Sequence, residues 1–260
     1  MKKLTVVLCV LSALIGLALC GCSRSKKDAN AFVLGLDDSF PPLGFRDEDN
    51  KIVGYDIDLA AEVCRRLDLT LVCQPIDWKA KELELNTGKI DCIWNGFTMT
   101  ADRRQSMTCT PAYLNNAQVL VVRAGSGIQT LSDMEGKVVG VQTGSSAQEA
   151  IDDTPDFVSL LKGVVEFNEN ITALNDLGIG NIDGVVMDEV VANYSITQTG
   201  KPFVILDEGL AKEEYGIAFK KGNTELCEKV WNTLLEMEAD GTVGQISAKW
   251  FGANLSVIGQ

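Results

Sequence analysis

Apolar residues along this chain cluster with two different periods. Phe32-Val33-Leu34-Gly35-Leu36 and Ile90-Asp91-Cys92-Ile93-Trp94 are short apolar runs bounded by turn residues, as strands are. Between them Leu59, Ala60, Val63, Cys64 and Leu67 recur at the spacing of one helical face. Leu71-Val72-Cys73 is strand-like again, and the stretch from Trp78 to Leu85 is mostly helical before Gly88-Lys89 turns the chain. This β-α-β-α-β order predicts a mostly parallel sheet with helices outside it, an α/β fold.

The second half continues the alternation. Val119 to Val122 reads as a strand, and Lys137 to Gln142 as turn then strand. Helices are expected over 147–151, 171–177 and 190–198, with a strand from Ile182 to Asp188. Leu226, Val230, Leu234 and Met237 line one further helix at i, i+4 spacing; Gly241 ends it, and 243–251 forms the last. Trp231 and Trp250 fit core or inter-helix packing, and no repeat or low-complexity segment is evident.

Candidate chemistry concentrates after the strand ending at Trp94. Asn95-Gly96-Phe97-Thr98-Met99-Thr100-Ala101-Asp102-Arg103-Arg104 begins with a glycine turn at a strand's carboxyl end, where ligands bind open α/β sheets. Gly96 offers a backbone carbonyl, Thr98 a hydroxyl, Thr100 a helix N-cap, and Arg103 a fork of donors that can grip a carboxylate. A bound α-amino acid needs such groups for its ammonium and carboxylate. The alternative is a surface turn whose arginine pairs with Asp102 or solvent.

Three other places offer ligand chemistry, each with a structural alternative. Phe40, after the acidic turn Asp37-Asp38, stacks on a ligand or plugs the core. Thr143-Gly144-Ser145-Ser146 opens a helix, so its amides and hydroxyls make an anion site or a simple cap by Ser145. It lacks the Gly-Lys-Ser/Thr ending of a P-loop. Asp188 can receive an ammonium, cap the helix that follows, or do both. Asp56 and Asp58 begin a helix, where negative charge suits the dipole, so their role is read as structural.

A length of 260 residues fits one or two domains, and 46% hydrophobic residues suffice for a real core. The formal charge of −13 argues against nucleic acid as a partner, since phosphate binding needs clustered Lys and Arg. There is no histidine, which removes Ser-His and Cys-His nucleophiles, histidine bases and histidine metal ligands. Cys64, Cys73, Cys92, Cys109 and Cys227 show no CxxC spacing, so no metal or redox motif is supported; Cys64 and Cys92 read as small buried hydrophobes, and one disulfide of open connectivity remains.

The N-terminus has the form of a targeting segment: Lys2-Lys3, then an apolar stretch from Leu4 to Leu19 that is short for a spanning helix. Leu19-Cys20-Gly21-Cys22 resembles a bacterial lipobox, with cleavage after Gly21 and lipid on Cys22; a plain secretory signal is the alternative. Residues 1–21 are thus expected to be a lipoprotein signal peptide and 22–30 a flexible tether.

Gly54-Tyr55-Asp56-Ile57-Asp58-Leu59, Val63-Cys64 and Leu67 resemble the signature of the family 3 bacterial extracellular solute-binding proteins. Trp78, Gly88-Lys89-Ile90-Asp91, Gly96 to Thr100 and Arg103 follow in that family's order, and the likeness runs from about Val33 to Gly252. It implies a two-lobed periplasmic-binding-protein-like fold of type II with two crossing segments as hinge. Lobe 1 would comprise 31–116 plus 216–260 and lobe 2 residues 117–215. It implies a non-enzymatic, monomeric, lipid-anchored receptor outside the cytoplasmic membrane that hands an amino acid to the permease of an ABC importer. A dehydratase-like enzyme of the same fold and a ligand-sensing module are the alternatives. The resemblance further places Arg103 and Ser146 on the ligand carboxylate, Asp188 and the Gly96 carbonyl on its ammonium, and Asp37 and Phe40 in the pocket. Phe97 and Gln142, with Trp94 and Asn95, are further candidates for side-chain contacts. Rings and an acid without an added cation favour a basic or neutral polar ligand such as lysine, arginine, glutamine or cystine. No cofactor or metal is implied.

Overall fold

The structure is a computed structural model and describes residues 30–260; the signal-peptide, tether and lipidation expectations fall on residues outside that range, Asn30 excepted. The main sheet has nine strands: β1 (Ala31–Leu36), β5 (Thr70–Pro75), β6 (Cys92–Thr98), β7 (Met107–Cys109), β8 (Leu114–Arg123), β9 (Val138–Gln142), β10 (Gly163–Phe167), β11 (Gly184–Asp188) and β12 (Phe203–Lys220). Its order is β10-β9-β11-β8-β12-β6-β1-β5, with β7 paired to β12. One flank holds the parallel pair β1·β6, the other the parallel set β10·β9·β11. Antiparallel β8 and β12 join the flanks. A small sheet of β2 (Ser39–Phe40), β3 (Gly44–Arg46) and β4 (Ile52–Val53) lies apart.

Sequence dictates these elements locally. Helix Tyr55–Arg66 buries Leu59, Ala60, Val63 and Cys64 on one face and keeps Asp56 and Asp58 in its first turn, Arg65 and Arg66 in its last. Each fully buried Leu or Val there contributes about 1.5–3 kcal/mol of transfer free energy. Trp78–Ala80 is a 3-10 turn capped by Asp77, whose carboxylate accepts the Lys79 amide at 3.0 Å, and α-helix follows over Lys81–Thr87. Gly88 ends it at φ 75°, a left-handed cap. All seven residues of β6 are buried, so it is a central strand.

The longest departure from expectation is β12. Its last part, Tyr215 to Phe219, is fully buried, but 203–214 carries Asp207, Glu208, Lys212, Glu213 and Glu214 on half-exposed backbone. Phe203-Val204-Ile205-Leu206 is an apolar run that marks its start; beyond it the crossing strand has little core on either face and no hydrophobic period to read. β10 is missed for a related reason: it is an edge strand whose central valines are exposed. Cys64 and Cys92 are buried among apolar residues, and Cys227 joins them. Among the described residues no helix is long and apolar enough to cross a membrane.

Candidate functional site

The carboxyl end of β6 is shaped by Gly96, which adopts φ 55°. A Cβ there would lie 2.5 Å from Leu43 Cδ1 and 2.8 Å from Phe40 Cε1, so glycine is needed for both conformation and space. The Gly96 amide donates to Asp56 Oδ2 at 2.8 Å, and the Tyr113 hydroxyl donates to the same oxygen at 2.8 Å. Burial pushes the Asp56 carboxyl up to about 7, against the lowering effect of those bonds. Asp56 is thus a brace behind the strand, in keeping with its structural reading.

Arg103 lies in helix Ala101–Ser106, where the Thr100 hydroxyl caps the Arg103 amide at 3.4 Å as anticipated. Its side chain is 4% exposed. The guanidinium carbon sits 4.9 Å from the Phe97 ring centroid, Nη1 donates to the Thr98 carbonyl at 3.0 Å, and Nη2 donates to Glu149 Oε1 at 2.8 Å. Ring and carbonyl hold the guanidinium, and Glu149 occupies one end of its fork of donors.

Across the cleft, β9 delivers Gln142 and the Thr143-Gly144 turn delivers Ser145 and Ser146. Ser145 is the N-cap of helix Ser146–Asp152, accepting the Gln148 amide at 3.2 Å, so its capping role is real. Ser146 Oγ donates to Thr98 Oγ1 at 3.0 Å. Gln142 Nε2 donates to Asp37 Oδ2 at 2.7 Å. Lys81, also 4% exposed, donates to the Gly144 carbonyl at 2.8 Å. Burial, then repulsion from Arg103, pushes the Lys81 ammonium down to about 8. Burial raises the Asp37 carboxyl in spite of hydrogen bonds from Ser39 and Gln142.

Asp188 ends β11 at the N-cap position of helix Glu189–Thr199, yet its side chain makes no cap hydrogen bond. Its Oδ1 instead accepts from Tyr215 OH at 2.6 Å, Asn116 Nδ2 at 2.7 Å and Gln118 Nε2 at 2.9 Å. Burial, and after it the neighbouring Glu213, pushes this carboxyl up to about 7.

These groups converge. Asp37, Phe40, Trp78, Asn95, Gly96, Arg103, Gln142, Ser145, Ser146 and Asp188 line one cavity of about 10 Å³. Thr98 does not line it but faces the adjoining groove of about 700 Å³ together with Ser146, Asn116 and Glu213. Phe97 lies beneath the Arg103 guanidinium, and Trp94 packs into the core beside Tyr113. Sequence reasoning used Trp78 only as a landmark and passed over Lys81, Glu149 and Glu213. A tryptophan in the polar run Asp77-Trp78-Lys79 was the available signal for the first. Among the described residues no cluster of three or more Asp, Glu or Cys is placed to hold a metal ion.

A buried guanidinium and a buried carboxylate facing one cavity, on elements that follow the family's order, agree with the match of residues 32–253 to a family of known proteins. This chain belongs to the bacterial extracellular solute-binding proteins, family 3. It is 28% identical to an L-cystine-binding protein of Escherichia coli K12 over 91% of this chain and 88% of that one. It is 30% identical to ABC transporter arginine-binding protein 1 of the same strain, over 96% of this chain and 99% of that one. A substrate-binding protein of an ABC uptake transporter from Streptococcus pneumoniae, solved with bound histidine, superposes with TM-score 0.86 at 36% identity, covering 88% of this chain and 95% of that one. As in the family, the fold is two-lobed, with the crossing strands β8 and β12 between the flanks.

Proposed function

We propose that this chain is the extracytoplasmic receptor of an amino acid ABC importer and not an enzyme. The observation that carries the reading is the pairing of Arg103 and Asp188 on one small cavity, a cation and an anion fixed by their own hydrogen bonds. Arg103 takes the ligand carboxylate, joined by Ser146. Asp188 takes the ammonium, with the Gly96 carbonyl beside it. Lobe 1 is read as 31–116 plus 216–260 and lobe 2 as 117–215, so Arg103 and Asp188 belong to different lobes. Ligand then favours the closed state, because only that state contacts it from both sides. Closure is the signal a permease reads.

The same cavity is also lined by Asp37, Phe40, Trp78, Asn95 and Gln142. An acid flanked by rings and amides suits a basic or neutral polar side chain better than a second carboxylate. Relatives whose names specify cystine and arginine, and a neighbour solved with histidine, support that class. A signal peptide over 1–21, a lipid on Cys22, a tether to residue 30 and a monomeric state complete the proposal. The test is a thermal-shift screen of the twenty amino acids and cystine, followed by calorimetry, since a ligand that binds only the folded state raises its stability. A basic or neutral polar amino acid should bind at least about tenfold tighter than glutamate, a difference of about 1.4 kcal/mol. Tightest binding to glutamate or aspartate overturns the side-chain assignment; no shift with any amino acid overturns the function.

A further inference from the structure

We propose that Glu213 is a positioning residue of the ammonium subsite: it orients three donors away from the ligand and ties occupancy of Asp188 by a cation to the loss of a proton. The inference rests on the reading of Asp188 as the ammonium acceptor and adds a residue outside the cavity.

The geometry is a shared set of hydrogens. Glu213 Oε2 accepts from Thr98 Oγ1 at 2.9 Å, Asn116 Nδ2 at 3.0 Å and Gln118 Nε2 at 2.8 Å. The same two amide nitrogens donate to Asp188 Oδ1. A side-chain amide has two N–H hydrogens, so Asn116 divides its pair between the two carboxylates, and Gln118 does the same with Ser146 Oγ, 3.3 Å away, as a more distant third acceptor. With Tyr215 OH added, Asp188 Oδ1 is saturated, and none of these donors is directed to Oδ2. Thr98 has one hydroxyl hydrogen and spends it on Glu213, while Ser146 donates into its oxygen. Thr98 therefore presents a lone pair, and no hydrogen, to the groove it shares with Ser146, at the edge of the cavity. Without the Glu213 carboxylate that hydrogen is free to rotate toward the cavity, where it opposes a cation.

The charges act in the same direction. Glu213 has no ion-pair partner among the described residues, whereas its neighbour Glu214 pairs with Arg104. Groups facing the same groove are Glu149 and Asp153 from the helix at Ser146, Glu189 from the helix after β11, and Lys212 and Glu214 from β12 itself. Tyr215 and Asp188 approach from the cavity side. Arg103, the nearby buried cation, is held by Glu149. Two carboxylates bridged only by amides repel each other until a cation or a proton arrives. The raised affinity of Asp188 for a proton, caused first by burial and next by Glu213, supplies that proton near neutral pH. An arriving ammonium displaces it.

Glu213 is also the cross-strand partner of Asn116, so a purely structural role as a clip between β8 and β12 is the rival account. Glu213→Gln separates the two, since it keeps size and one oxygen able to accept all three donors and removes charge. In ligand-free protein, carbon NMR of the Asp188 carboxyl should titrate near 7 in the wild type and at least about one pH unit lower in E213Q. Calorimetry with L-arginine at pH 7 in buffers of different ionisation heat should show release of about half a proton from the wild type and about a tenth from E213Q. At pH 8 E213Q should bind L-arginine about fivefold more weakly. An Asp188 titration and a proton release that are unchanged in E213Q overturn the proposal and leave the structural clip. A wild type that ignores L-arginine rejects that ligand for the site; the ligand-free titration still decides whether Glu213 governs Asp188.

Discussion

Gly96 and Asp56, 40 residues apart in the chain, are joined by a 2.8 Å hydrogen bond from the glycine amide to a carboxylate that solvent does not reach. The strand end that offers its carbonyl to a ligand is held from behind by an acid that prefers to be protonated. Unfolded, Asp56 loses its proton near the model-peptide value of 3.8; folded, it keeps it to about 7. The folded state therefore binds more protons in that window, and stability falls as pH rises from about 4 to about 7, then levels. Asp188 and Asp37 contribute in the same direction. Asp56→Asn removes the titrating group and should flatten the slope by on the order of 1–4 kcal/mol across the window. Urea unfolding of ligand-free protein at several pH values checks this; an unaltered slope in D56N would show that Asp56 stays ionised.

Arg103→Ala should weaken amino acid binding by roughly 2–5 kcal/mol, the cost of leaving a buried charge without its partner. That is on the order of 30- to several-thousand-fold. Arg103→Lys should recover only part, because a point charge lacks the fork. Arg104 is the control: it is 45% exposed and turns outward to the Met99 carbonyl and Glu214. Calorimetry on the three variants decides, and an Arg104→Ala loss equal to that of Arg103→Ala would move the carboxylate site by one residue.

Glu149 and a ligand carboxylate compete for the same guanidinium. Glu149 is 45% exposed, so its ion pair with Arg103 is screened and worth little on its own. Glu149→Gln should therefore strengthen amino acid binding modestly, by about two- to fivefold. Weaker binding in E149Q would assign Glu149 to holding Arg103 in place.

Membrane-extracted protein should carry a diacylglyceryl adduct on Cys22 as its N-terminal residue, motivated by Leu19-Cys20-Gly21-Cys22. Intact mass spectrometry reads it directly. A mass equal to the unmodified chain sinks the lipid anchor.

Much of the site was legible because its residues sit at element ends that sequence marks. Gly96 breaks an apolar run at a positive φ near the end of β6, Thr100 caps a helix three residues before Arg103, and Asp188 ends a strand of three apolar residues and a glycine. What was not legible comes from pairing across the fold. Nothing local connects Asp56 with Gly96, Lys81 with Gly144, or Glu213 with Thr98. The strand was hidden over 207–214 for the same reason, since its partners in β8 lie some ninety residues earlier and its side chains there follow no apolar period, whereas the run Phe203 to Leu206 was a legible start. Asp188 shows the reverse case: sequence left it open as an ammonium acceptor, a helix cap or both, and the structure shows no cap bond, the carboxylate facing Tyr215 and two amides instead.

β8 and β12 run side by side as an antiparallel ribbon from Phe203 opposite Arg123 to Tyr215 opposite Leu114, with its register shifting on either side of Gly209. Such a ribbon resists stretching and sliding, because every displacement along it breaks ladder bonds, but it yields to twist and flexure, the more so at a bulge. Parting the flanks then leaves the backbone ladder whole. The contacts surrendered are side-chain fasteners across the cleft: Ser146 on Thr98, Gln142 on Asp37, Lys81 on Gly144 and Glu149 on Arg103. On the proposed reading of the flanks as closing lobes, the ribbon is a leaf spring and the side-chain contacts a row of polar snaps, and substitution can alter the stiffness of the one and the grip of the other independently.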